Sequence, residues 1–91
     1  ASEKKRIRDA QAKAAATGKP LEQSWRDEHD TTKSVKVTTG NTEKVKTAGA
    51  VLLCRPLETT LTVGEKAATQ SEQWCRAPDG SYKPRSEFAV A

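Results

Sequence analysis

The sequence predicts an α+β fold: one N-terminal helix beside an antiparallel sheet of about four strands, closed by a single cross-strand disulfide. Three observations carry this. Alanines at helical spacing occupy the first residues and stop at Gly18 and Pro20. Ten of the eleven threonines lie after residue 30, where they favour extended chain. A glycine-marked turn brings the two cysteines opposite each other. The division is a basic helix over residues 1–18 and a small antiparallel β domain over 19–91.

The helix is expected over Ser2–Ala16, with Ser2 as cap and Glu3 in the first turn. Its apolar side is thin, with Ile7, Ala10 and Ala14 at spacings of three and four, so it frays or depends on a partner or on chain upstream. From Leu21 the pattern turns to strands. Leu21–Glu28 centres on Trp25, and the polar stretch His29–Thr32 follows. Val35–Thr38 alternates, and Gly40-Asn41 precedes a strand-like run around Val45. Ala48-Gly49 marks another turn.

Gly64-Glu65 fits a two-residue type II′ hairpin with Gly first. Val63 then faces Lys66, and stepping outward pair by pair sets Arg55 across from Trp74 and Cys54 across from Cys75. The cysteines fall in the non-hydrogen-bonded class, where Cα atoms approach to about 4.5 Å, within reach of a disulfide. In this register Leu53, Leu57, Leu61, Val63, Ala68 and Trp74 form the core face. Glu58, Thr60, Thr62, Thr69, Ser71 and Gln73 form the wet face, with the disulfide on that thinly covered side. Pro56 leaves the hairpin ladder intact but would interrupt a third strand on its other edge, which places a bend or an edge there. Stacking of the Arg55 guanidinium on the Trp74 indole is available there, and Trp74 is expected to be buried, with the Arg stem packed on its ring and the guanidinium reaching a carboxylate or water.

Composition narrows the function. Sixteen large apolar residues (Val, Ile, Leu, Phe, Trp, Tyr) stand beside thirteen alanines in 91 residues, too few for a large enzyme core, and no apolar run reaches the ~18 residues of a membrane span. Of the net +4 charge, all resides in residues 1–20, while 21–91 balance. This basic arm suits an anionic membrane surface or other proteins as partner, or else a solvated helix face. It holds no aromatic residue for stacking bases, so no nucleic acid is expected. One His and no C-x-x-C make a metal site unexpected, and no cofactor is implied. Ser24, His29 and Asp30 lie within one polar stretch without a glycine-rich elbow, so no catalytic triad is read there. Asp27, Glu28 and Asp30 lack the glycine-centred loop of a calcium site. The chain is read as non-enzymatic.

Past Cys75, Pro78-Asp79-Gly80 is a tight-turn tripeptide leading to a last strand from Tyr82, weakened by Pro84. The run Cys54-Arg55, then Thr60-Leu61-Thr62-Val63-Gly64, then Trp74-Cys75-Arg76-Ala77-Pro78-Asp79-Gly80-Ser81-Tyr82 resembles the C-terminal domain of the 17-kilodalton surface antigen family of Gram-negative bacteria. Gly18-Lys19-Pro20-Leu21-Glu22, Trp25-Arg26 and Ser34-Val35-Lys36-Val37-Thr38 are similar to that domain's first two strands, so the likeness covers most of residues 10–83. The resemblance implies a periplasmic or outer-membrane protein, often lipid-anchored and without established enzymatic activity. No lipobox cysteine or glycine zipper stands ahead of the domain here, so either a trimmed precursor or a member free in the periplasm is expected. A disulfide between Cys54 and Cys75 fits the same oxidising compartment. Arg55, Trp74, Arg76, Asp79 and Tyr82 are the candidate binding residues. Two function classes follow: an envelope domain with a structural or interaction role, or a small secreted or periplasmic binding module such as an inhibitor or an envelope-polymer binder.

Overall fold

The computed structural model describes residues 3–47 and 49–88; the expected cap Ser2 and the turn residue Ala48 lie outside them. Helix α1 spans Glu3–Thr17, and strands follow in the order β1 Leu21–Arg26, β2 Thr32–Thr39, β3 Glu43–Thr47, β4 Ala50–Val63, β5 Lys66–Arg76 and β6 Tyr82–Pro84, with a 3₁₀ turn at Arg85–Phe88. All pairings are antiparallel. The sheet runs β1-β2-β4-β5-β6, with β3 pairing β4. The fold class is α+β as expected, with six strands rather than about four. The short β3 is the strand-like run expected around Val45 and the short β6 is the last strand expected from Tyr82, so the difference lies in the count; both form on edges that β4 and β5 offer.

The β4–β5 register matches expectation from Val63↔Lys66 through Arg55↔Trp74 to Cys54↔Cys75. Gly64 turns at φ 61°, and Glu65 is not among the positive-φ residues, as a type II′ turn requires. On the wet face the Thr60 and Thr69 hydroxyls meet at 3.0 Å.

Pro56 marks the change of partner on the other edge of β4. Leu57–Val63 pair with β2, and Ala50–Cys54 pair with β3. Between them the Gly40 N–H donates to the Pro56 carbonyl at 3.0 Å. A Cβ on Gly40 would lie 2.6 Å from the Pro56 ring, so the chain crosses here only as glycine. The bend expected at Pro56 is thus a switch from one flanking strand to another.

The helix lies on the face that carries Val35, Val37, Leu57 and Trp74, and its Ala10, Ala14 and Ala15 complete that core. Alanine side chains let the helix approach the sheet closely, which is how a chain so poor in large apolar residues closes a core. Gln11 donates to the buried Thr59 hydroxyl at 3.0 Å. The partner that the thin helix needs is therefore its own sheet. Cover is limited to the middle: Leu53 and Val63, expected in the core, are 37% and 38% exposed, and Ala68 is exposed.

Candidate functional site

The disulfide stands where β3, β4, β5 and β6 lie side by side. Cys54 pairs with both Glu43 and Cys75, and Cys75 pairs with Lys83, so the bridge sits inside a row four strands wide. The two Cα atoms are 4.0 Å apart. Both cysteines are fully buried, which corrects the expectation of a thinly covered bridge. Alternation along the hairpin alone placed them on the wet face. The outer strands β3 and β6, unseen in the hairpin alone, flank the pair on both sides. On the same face Gln73 donates to Glu43, and Arg85 donates to Gln73 at 2.8 Å.

Arg55 and Trp74 are cross-strand partners on the helix side, but the stacking available to them is absent. The Arg55 guanidinium instead donates to the Ala15 carbonyl at 2.6 Å. The last turn of a helix leaves carbonyls unpaired and carries partial negative charge, so it outcompetes an indole face for a cation. Gly18 makes room: it turns at φ 71°, its N–H donates to the Ala14 carbonyl at 2.8 Å, and a Cβ there would lie 2.7 Å from the guanidinium. The cation over Trp74 is Arg8, 5.9 Å from the ring centroid. Trp74 itself is 1% exposed, and its Nε1 donates to Glu72 at 3.2 Å. It is a core residue, as its register position predicts.

Arg76, Asp79 and Tyr82 meet at the opposite kind of place, an exposed turn. Asp79 accepts from the Ser81 hydroxyl at 2.6 Å and from the Ser81 N–H at 3.0 Å. These bonds, the hydroxyl's first, hold its carboxyl below the ordinary carboxylate range. The Ala77 N–H donates to the Ser81 carbonyl, and Gly80 turns at φ 90°. Arg76 is exposed across from Tyr82, which packs partly against the core. The five candidate binding residues therefore divide into a covered pair and an exposed turn, with the disulfide apart on the other face.

The basic arm is a docked helix. Arg8 pairs with Glu87, Lys5 with Asp9 at 3.5 Å, and Arg6 lies over the Trp25 ring at 5.4 Å. Between Arg8, Gln11, Trp74 and Pro84 lies an open cleft of about 400 Å³. At the helix start, Lys33 joins Glu3 and, at 3.3 Å, Asp27. These partners, Glu3 foremost, raise the Lys33 pKa above its ordinary value. Asp27 accepts the N–H groups of Thr31 and His29, both at 2.9 Å, and its carboxyl is held low chiefly by the Thr31 bond. His29 is exposed beside Glu28, and Asp30 bonds Arg26 at 2.9 Å, so these residues build a turn. Among the described residues no group of His, Cys, Asp and Glu is arranged to hold a metal ion.

Sequence reasoning read the strand around Val45 and the turn after it, but missed that the ribbon of β3 and the first half of β4 has an exposed face. Its face carrying Lys44, Lys46, Val51 and Leu53 is open: the two lysines are exposed, and Val51 is 59% exposed. The signal was present in the run Val51-Leu52-Leu53, of which Leu53 was assigned to the core face. Comparison of the chain with family models, with curated proteins and with solved structures finds no match to any of them.

Proposed function

We propose that this chain is a non-enzymatic cell-envelope domain, similar to the bacterial surface antigens, with a structural or interaction role in the periplasm or at the outer membrane. The buried Cys54–Cys75 bridge carries the reading. A domain with so small a core gains a large share of its stability from such a bridge, and the bridge persists only where thiols are oxidised. The motif around it supports the surface-antigen likeness, since Cys75-Arg76 leads straight into the Pro78-Asp79-Gly80-Ser81 turn. The architecture suits a wall more than a reaction vessel: a sheet with one covered face, and clefts that open to solvent. Fractionation of the producing cells with immunodetection tests the proposal. The chain is expected in the periplasmic or outer-membrane fraction. Recovery from the culture medium would favour the secreted binding module, and confinement to the cytoplasm would overturn both.

A further inference from the structure

Among the described residues the most exposed large apolar side chains are Val51, Val63 and Leu53, and two of the three share one face of the β3–β4 ribbon. Register sets Lys44 beside Leu53 and Lys46 beside Val51, so lysines line one strand and aliphatic side chains the next. The helix ends above Arg55, one residue pair short of this face, and β5 ends its pairing with β4 at Cys54. From Lys44 to Arg55 the chain has no acidic residue. Neither lysine takes part in an ion pair among the described residues.

We infer that the Lys44, Lys46, Val51 and Leu53 face of this ribbon docks on an anionic lipid membrane. The valine and leucine enter the acyl boundary, and the lysines reach back to the phosphates along their apolar stems. Three features favour a bilayer over a protein. Four side chains cover far less than the roughly 800 Å² per partner of a stable protein interface. The face has no aromatic anchor and is rich in lysine, which protein interfaces deplete. Two lysines on the free edge of β3 also oppose strand pairing with a second copy. The inference names a partner for the envelope proposal and rests on it for the cellular setting. Binding in a purified system is independent of where the chain resides, so the two fail separately.

The test is co-sedimentation of the oxidised chain with vesicles of phosphatidylcholine plus phosphatidylglycerol, and with phosphatidylcholine alone. Binding is expected to the anionic vesicles and to weaken with salt. Lys44→Gln with Lys46→Gln should weaken it roughly twenty-five-fold, at about five-fold per lysine. Val51→Thr with Leu53→Thr keeps strand-forming residues at exposed positions and should weaken it by about ten-fold or more. Unchanged melting temperatures show that these variants still fold. Lys4→Gln with Lys5→Gln removes the same charge from the helix and should change binding by less than about two-fold. Absence of binding to anionic vesicles overturns the inference. So does equal loss from the helix and ribbon lysine pairs, which marks diffuse charge. Self-association abolished by Val51→Thr with Leu53→Thr would assign the face to a second copy instead.

Discussion

The two halves of β4 share one strand and one face alternation, yet their surroundings differ. Leu57 and Leu53 both point to the helix side, and they are 2% and 37% exposed. Over Leu57–Val63 the strand has β2 on one edge, β5 on the other and the helix above its first residues. Over Ala50–Leu53 it has β3 alone. Alternation decides which way a side chain points. Burial is decided by what lies above it, and here that is the reach of one helix. The body is thus expected to hold the fold, while the ribbon presents a surface.

The sharpest way to break this contrast is Trp74→Ala. Loss of the largest buried side chain should cost about 3 to 5 kcal/mol in denaturant unfolding, enough to unfold so small a domain, whereas Val51→Ala on the ribbon should change stability by about 0.5 kcal/mol or less. Similar effects from both would erase the distinction. Next comes the bridge at the root of the ribbon. Cys54→Ser with Cys75→Ser should cost about 3 kcal/mol. Amide exchange should then speed up more in residues 43–53 than in Val35 and Val37, whose strand is held from both sides. Arg55→Ala should cost about 1.5 kcal/mol, since a charged hydrogen bond to the helix end is lost. Its damage should show as faster exchange in the last turn of α1, not around Trp74.

The smallest effect is acid sensitivity in the turns of the body. The Asp27 and Asp79 carboxyls are held below their ordinary range by bonds from Thr31 and Ser81. Folding therefore gains from their ionised forms above the unfolded value of about 3.9, and loses that gain as pH falls through their lower folded values. Asp79→Asn should flatten the acid limb of a melting-temperature profile. For Lys33, whose folded pKa is raised, the contribution is present below the unfolded value of about 10.4 and disappears at higher pH.

Much of this was legible in the residues. Gly64-Glu65 set the register of ten cross-strand pairs, and with it the disulfide and the burial of Trp74. Pro56 announced an interruption on the other edge. Contacts between elements distant in sequence could not be read, because no local period encodes them. The Arg55 bond to Ala15 needs the helix end to be known in space, as do the Arg8 cation over Trp74 and the Glu3 contact with Lys33. The contacts of the basic arm were illegible for the same reason: Arg8 meets Glu87 and Arg6 meets Trp25 only in the folded chain. The exposure of the ribbon's face was missed because Leu53 and Leu57 are indistinguishable by pattern, and only the length of the helix separates them.

The Cys54–Cys75 bridge joins body to ribbon, since Cys54 is the residue that pairs with both β3 and β5. It also carries the proposed placement in an oxidising compartment. Thiol titration of the unfolded, unreduced chain, taken directly from the cells that make it, tests both at once. No free thiol is the expected result, whereas both cysteines titrating would contradict the bridge and the envelope reading together.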